Sequence, residues 1–268
     1  MRKLILSVLC AIGFITVSAA TYARGEKKSD RNMPIVTREY TNLGSFTGLK
    51  ASSGFDVDYT VGPATKVIVE VPETILQYVT VKVIEGKLSI GLDNKSHKIN
   101  NFKKLRAIVT GPVLNDVATS SSADINIMSP MSVENGSLVL SASSSGDIDF
   151  KYPVNYKNVT VSASSSADIE LEGLTASSLT IKASSSADVS ISNLKAENVI
   201  ATASSSSDVK LSGTAANASF EASSSADISA GNLKVASGSA KASSSGDIVC
   251  SVKNFTFQKS SGGSVRNK

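Results

Sequence analysis

The stretch Leu179-Thr-Ile-Lys-Ala-Ser-Ser-Ser-Ala-Asp-Val-Ser-Ile191 decides the fold. Its core phrase, Ser-Ser-Ser-Ala-Asp-Val at 184–189, occurs in seven close variants along the chain. The aspartates of these phrases are separated by 23, 21, 20, 20, 19 and 20 residues. A period near 20 is typical of a solenoid, in which each repeat buries its apolar face only against its neighbours. The aspartates of the seven phrases are Asp124, Asp147, Asp168, Asp188, Asp208, Asp227 and Asp247.

The residues within one repeat alternate strictly between apolar or small and polar. Leu179, Ile181, Val189 and Ile191 share one phase, and the polar side chains take the other. Alternation with a period of two indicates a β-strand with one buried face, and serine runs are poor helix formers. A coil of about 20 residues must turn back to meet its neighbour about 4.8 Å along the axis. The sequence therefore predicts an all-β, single-stranded parallel β-helix, with right-handed coils because parallel crossovers are nearly always right-handed.

The shared phase predicts which side chains stack inside and outside. The bend is expected at Ala183, Ser185 and Ala187, where inward side chains are smallest. The hydrophobic residue after each aspartate should form one interior column, and the aspartates an exterior ladder of mutually repelling carboxylates. The middle serines are expected to form an interior hydroxyl ladder, because buried hydroxyls can serve one another coil on coil. These serines are Ser121, Ser144, Ser165, Ser185, Ser205, Ser224 and Ser244.

The repeat pattern and the flanking composition divide the chain into four parts. Residues 1–23 have a basic start, a short apolar run and small residues before a cleavage site, which predicts a secretory signal peptide. Residues 24–40 are predicted to be a flexible leader. Residues 41–117 should form an N-terminal capping part of the β-helix with some antiparallel strands, including a hairpin at Glu85-Gly86-Lys87. Residues 118–268 should form the repetitive coils and a C-terminal cap.

Two further segments, one before and one after the seven phrases, match the repeat with the same residues facing inward. Ala51-Ser-Ser-Gly-Phe-Asp56-Val57 matches the phrase in register, which places Ser53 inward with its apolar neighbours. Ser261, Gly263 and Val265 match the same phase at the other end, where Lys259 stands in place of the usual alanine.

The composition offers little for catalysis or cofactor binding. After signal cleavage Cys250 is the only cysteine, so no internal disulfide forms, and its inward phase predicts a buried thiol. The single histidine, His97, lies in a polar stretch without a recognisable triad partner. No zinc-type ligand spacing and no phosphate loop occur, so we expect no catalytic residues, no metal and no cofactor. The positive balance is modest and forms no basic stripe, which argues against nucleic-acid binding.

The aspartate ladder is the one polar array that supports a functional hypothesis. In the structural interpretation each carboxylate accepts hydrogen bonds from the backbone or from serine hydroxyls at the bend. A row of cations is the second interpretation, although each coil offers only one carboxylate and calcium coils are denser in ligands. The third is a repetitive surface that binds glycans or another ordered lattice.

The repeats resemble the bacterial family of putative autotransporter-adhesin head domains. The resemblance rests on Phe55-Asp56-Val57, on Gly86-Lys87-Leu88-Ser89-Ile90 and on the Ser-Ser-Ala/Gly-Asp-Ile/Val phrases. The family usually shows Ser-Gly-Ser-Gly-Asp, whereas serine and alanine replace most of those glycines here. The resemblance implies a parallel β-helix and an exported protein of the periplasm, the outer-membrane surface or the medium. We expect no membrane-translocating barrel with it.

The resulting expectation is a non-enzymatic, adhesin-like binding protein that presents its Ser/Asp surface, with the seven aspartates as the binding ladder. Surface glycans or envelope proteins are the candidate partners, and no transmembrane segment is expected after signal cleavage. A purely structural envelope protein is the first alternative. A carbohydrate-active enzyme is the second, for which Glu73, Glu85 and Asp93 are the only loosely clustered acids outside the repeat phase.

Overall fold

The computed structural model describes residues 33–93 and 105–268, together with the backbone of a two-residue strand at 15–16. The predicted signal peptide and His97 otherwise lie outside the described residues. The strands are β1 Ile15–Thr16, β2 Ile35–Tyr40, β3 Gly48–Ala51, β4 Asp56–Val61, β5 Lys66–Pro72, β6 Val79–Ile84, β7 Lys87–Leu92, β8 Arg106–Gly111, β9 Asp116–Thr119, β10 Asp124–Ile127, β11 Met131–Ala142, β12 Asp147–Phe150, β13 Val154–Ser164, β14 Asp168–Leu171, β15 Leu174–Ser184, β16 Asp188–Ser204, β17 Asp208–Ser223, β18 Asp227–Ala242, β19 Asp247–Lys259 and β20 Ser264–Asn267. A single 3₁₀ turn, Leu76–Tyr78, is the only helical element among the described residues.

The strands stack in parallel and in register, which confirms the predicted all-β parallel β-helix with coils of about 20 residues. Each coil has three walls. The first wall begins at the aspartate of the phrase and stacks β4, β10, β12, β14 and the first residues of β16 to β19. The third wall follows, for example at Leu194–Ala196, and the second wall then runs to the next phrase, for example at Asn198–Ser204. The right-handed sense of the coils stays a prediction.

The core is the channel between the three walls. The predicted interior column is confirmed, because each of its members is at most 1% exposed: Ile125, Ile148, Ile169, Val189, Val209, Ile228 and Ile248. The leucines after the Gly or Asn turns, Leu174, Leu194 and Leu233, are buried on the third wall. Larger rings such as Tyr59, Phe150 and Tyr156 are fully buried in this core. Continuous apolar columns of this kind supply the main driving force for stacking.

Antiparallel strands cover the N-terminal end of the stack. β2 pairs with β5, β5 pairs with β8, and β6 pairs with β7 through a turn at Glu85 and Gly86, both of which have positive φ. The predicted hairpin is thereby confirmed, and Asp56 and Val57 align with Asp124 and Ile125 as the phrase match predicts.

One boundary of the leader is corrected by the structure. Residues 35–40 lie within the predicted flexible leader but form β2, which pairs antiparallel with β5 along its whole length. Val36 and Tyr40 are buried against the core, while the residues between them are half-buried. The charged side chains Arg38 and Glu39 obscure this short alternating segment in the sequence.

Candidate functional site along the serine corner

Each repeat phrase forms a sharp corner between the second and first walls. Its second and third serines both have a left-handed backbone, for example Ser185 at φ 56° and Ser186 at φ 60°. The N–H of the third serine donates to the carbonyl of the second serine one coil further on, as from Ser186 to Ser205 at 3.0 Å. The same bond recurs from Ser122, Ser145, Ser166, Ser206, Ser225 and Ser245. We call this row of paired serines the serine corner.

The predicted interior serine ladder is wrong. All seven middle serines, Ser121, Ser144, Ser165, Ser185, Ser205, Ser224 and Ser244, are exposed. Two successive left-handed residues interrupt the in-out alternation on which that prediction depended. Both serines of each pair therefore lie at the outer apex of the bend, and Ser53 and Ser261, also at positive φ, are likewise not buried.

Small residues occupy the inside of the corner. The fourth position of each phrase is buried, whether alanine, glycine or, in one coil, Ser207. The Ser207 hydroxyl accepts a hydrogen bond from the backbone N–H of Ser204 at 3.1 Å, which gives this buried hydroxyl a partner. The bend therefore coincides with the predicted Ala183 and Ala187, while the interior hydroxyl is at a different position from the one expected.

The seven aspartates follow the corner as the first residue of each first-wall strand. Their backbones are paired in register from Asp56 through Asp124 to Asp247, and every one of the seven is exposed or half-buried. Neighbouring coils lie about 4.8 Å apart. The exterior carboxylate ladder is thus present as predicted, with two exposed hydroxyls beside each carboxylate.

The carboxylates also take part in holding the coils together. Oδ1 of Asp147 accepts a hydrogen bond from the backbone N–H of Asp168 at 3.0 Å. Asp124 and Asp168 accept in the same way from the backbone of Asp147 and Asp188, an interaction that favours their charged form. These bonds agree with the structural interpretation of the ladder, in which each carboxylate accepts hydrogen bonds at the bend.

Burial and mutual repulsion act against the charged form. Desolvation, followed by the negative charges of the neighbouring aspartates, raises the pKa of Asp124, Asp168 and Asp208 above the ordinary range. A cation or a hydrogen-bond donor that neutralises this repulsion is therefore favoured at the ladder.

A shallow groove of about 270 Å³ runs along the ladder in the middle of the stack. Asp168, Asp188 and Asp208 line one side, and Glu170 and Lys210 line the other. Such a groove offers several hydrogen-bond acceptors and one cation to a polar ligand.

Two of the acids considered for an enzyme, Glu85 and Asp93, lie far apart. Glu85 lies in the turn of the β6–β7 hairpin and Asp93 follows the far end of β7. Six residues of strand separate them, which corresponds to about 20 Å. Among residues 33–93 and 105–268, no group of three or more His, Cys, Asp or Glu side chains is placed to hold a metal ion.

Cys250 is fully buried, as its phase predicts. Its Sγ lies 3.7 Å from Oδ1 of Asn267, and burial raises the pKa of the thiol. A thiol without exposure and with a raised pKa is unsuited to nucleophilic chemistry.

Sequence reasoning missed a second repetitive polar row. Asn198, Asn217, Ser237 and Asn254 are aligned on four successive coils, and Nδ2 of Asn217 donates to Oδ1 of Asn198 at 3.1 Å. They line one side of an open groove of about 750 Å³ that ends at Phe255 and Thr256. Asparagine recurs here at the solenoid period, and that signal was available but is weaker than the serine phrase.

The fold and the corner define a class: a parallel β-solenoid with a periodic surface of hydroxyls and carboxylates. The family model described as "Putative auto-transporter adhesin, head GIN domain" matches residues 45–200 and 174–268, and the chain belongs to this family. The resemblance inferred from the repeats is thereby confirmed. A comparison with curated protein sequences finds no match.

Several solved structures share the fold. A putative adhesin from Parabacteroides merdae is 19% identical with a TM-score of 0.75, covering 89% of this chain and 98% of its own. A putative adhesin from Bacteroides fragilis is 20% identical with a TM-score of 0.65, covering 88% and 97%. A putative lipid binding protein from Parabacteroides distasonis is 18% identical with a TM-score of 0.63, covering 89% and 98%.

The family name indicates an extracellular or envelope location for its members. In the part of the chain that the structure describes, no helix is long and apolar enough to cross a bilayer.

Proposed function

We propose that this protein is an exported, non-enzymatic, adhesin-like binding protein that recognises glycans through the serine corner and its aspartates. The observation that carries the proposal is the in-register repetition of two exposed serines and one carboxylate on seven coils. A glycan chain is itself a periodic array of hydroxyl groups, so a periodic array of acceptors and donors can engage it over several coils at once. Each contact is weak, and repetition along the corner raises the total affinity by avidity.

The family and two of the similar structures support this proposal, since both carry the description of putative adhesins. A surface location also agrees with the signal peptide predicted for residues 1–23. The site has no isolated acid pair, which is why we place binding ahead of glycosidase chemistry.

The left-handed serines allow a sharp test. Glycine tolerates a positive φ, so Ser166→Gly, Ser186→Gly and Ser206→Gly together remove three hydroxyls while the backbone is retained. Asp168→Asn, Asp188→Asn and Asp208→Asn remove three charges in the same coils. On a glycan array, both triple variants should lose most binding. Ser132→Ala and Thr175→Ala, two exposed hydroxyls on the third wall, serve as the matched control and should bind like the wild type.

A purely structural role is the second candidate, and the bond from Asp168 N–H to Asp147 Oδ1 favours it. In that case the wild-type protein should bind no glycan on the array. The glycine variants would then alter only the melting temperature. Binding that survives both triple variants would contradict the assignment of the site to the serine corner.

A further inference from the structure

The last coil departs from the others in three columns. Ser264 aligns with Asp247 and ends the aspartate ladder, and Arg266 aligns with Val249 beside it. On the second wall Lys259 aligns with Ala242, so a lysine follows a column of buried alanines. Each change removes a negative charge or adds a positive one at the C-terminal end of the stack.

The result is a concentration of positive charge at the C-terminal end of the solenoid. Residues 231–268 carry six basic side chains and one acid, a net charge of +5. Residues 1–230 carry 21 basic and 22 acidic side chains, a net charge of −1. All six basic residues of the end are exposed: Lys234, Lys241, Lys253, Lys259, Arg266 and Lys268. Of these six, Lys241 forms an ion pair with Glu221 at 3.0 Å.

Two aromatic rings lie within this basic end. Phe255 and Phe257 belong to columns that are interior in earlier coils, where Gly238 and Ala240 are their neighbours. Their ring centroids are 5.7 Å apart with planes 17° from parallel. Phe257 is 54% exposed, because no described residue packs beyond the last coil. We call this surface, formed by the two rings and the six basic side chains, the basic end.

We propose that the basic end docks on the surface of an anionic lipid bilayer. Lysine and arginine side chains are attracted to anionic headgroups, while exposed phenylalanine rings gain by entering the boundary between headgroups and acyl chains. A soluble polyanion would neutralise the charges but leave the rings in water. A second copy docked through the same basic end would place like charges against each other, and antiparallel strands cover the opposite end of the stack.

This orientation has a geometric consequence. The solenoid axis is then steep to the membrane, and the serine corner rises away from it along the side of the rod. The most acidic part of the first wall lies in the earlier coils, away from the anionic surface. The proposal stands independently of glycan binding, since it uses different residues.

The test measures sedimentation of the chain, after removal of the predicted signal peptide, with vesicles. Mixed phosphatidylcholine and phosphatidylglycerol vesicles should bind the protein, and pure phosphatidylcholine vesicles should bind it far less. Lys253→Glu, Lys259→Glu and Arg266→Glu together should weaken binding by at least about 100-fold. The matched control, Lys157→Glu, Lys182→Glu and Lys195→Glu, makes the same change in net charge on exposed mid-stack positions and should have a small effect.

Insertion of the rings is measured separately. The chain has no tryptophan, so Phe257→Trp introduces a single indole whose emission should shift to shorter wavelength on anionic vesicles. Phe257→Ser should weaken binding without changing the melting temperature. Equal loss with the mid-stack control would show a general charge effect and overturn the proposal. Binding to a soluble anionic polysaccharide but not to vesicles, or a dimer in sedimentation experiments, would overturn it as well.

Discussion

The backbone N–H of Asp168 donates a hydrogen bond to Oδ1 of Asp147, one coil earlier, at 3.0 Å. This bond ties the exterior carboxylate ladder to the backbone that stacks the coils. The aspartates therefore belong both to the surface offered to a ligand and to the scaffold that presents it.

Replacing Asp147 separates its hydrogen bond from its charge. Asp147→Asn keeps an acceptor oxygen, so the free energy of unfolding should change by less than about 0.5 kcal/mol. Asp147→Ala leaves the Asp168 N–H without that acceptor and should cost about 1 kcal/mol, less if water replaces it. Chemical denaturation of both variants measures the difference. Equal stability of the two variants would show that the bond contributes nothing.

Calcium should have little effect on stability. One carboxylate per coil gives too few oxygen ligands for a tight calcium site, and the described residues contain no group of three acids suited to a metal. We expect a calcium-dependent change in melting temperature of less than about 2 °C. A rise of about 10 °C or more, abolished when Asp168, Asp188 and Asp208 are all changed to Asn, would instead establish a row of cations.

The left-handed serines predict an unusual mutational pattern. Ser186→Gly should preserve or raise stability by up to about 1 kcal/mol, because glycine adopts φ 60° without steric cost. Ser186→Val should lower it by about 1–2 kcal/mol, because a β-branched residue is poorly accommodated there. Ser184→Gly is the control: Ser184 ends a strand, so glycine should cost about 0.5–1 kcal/mol. Thermal unfolding of the three variants checks the order, and a stable Ser186→Val variant would contradict it.

The sequence predicts most of the fold because the interior residues repeat. Val189 and Val209 occupy the same position in two successive repeats. The period of 20 residues is therefore visible in the sequence alone. The prediction that the middle serines lie inside is wrong because it continues the in-out alternation through Ser185. Two left-handed residues interrupt the alternation there. Serine in this conformation is uncommon, and the glycines that usually reveal such turns are missing here. Strand β2 was missed because Arg38 and Glu39 dominate its six residues.

The basic end was missed for another reason. The individual lysines are unremarkable in sequence, and the overall charge is only +4. Their clustering at one end becomes visible only when the coils are placed in order along the solenoid axis. The aspartate ladder was found from sequence because it shares the period of the core.

Cys250 should react slowly in the native protein. Its side chain is fully buried and its pKa is raised by burial, so little thiolate is available to a reagent. A thiol reagent should label it slowly in buffer and rapidly in denaturant. Rapid labelling in buffer would show that the last coils open readily, which would also weaken the description of the basic end.

The pH dependence of Asp168 follows from its raised pKa, which burial causes first and the charges of Asp147 and Asp188 second. A raised pKa means that folding favours the protonated carboxyl. The stabilisation is complete below the ordinary pKa of about 3.9 and is lost as pH rises through the folded-state pKa.

Asp168→Asn stays neutral and keeps an acceptor for the Asp188 N–H. The variant should therefore be more stable than the wild type at pH 7, by a few tenths of a kcal/mol up to about 1 because the site is partly exposed. The advantage should shrink as pH is lowered towards 4, and denaturation curves at several pH values measure it. A variant that is less stable at pH 7 and gains on acidification would show that the charged form of Asp168 is the one that folding favours.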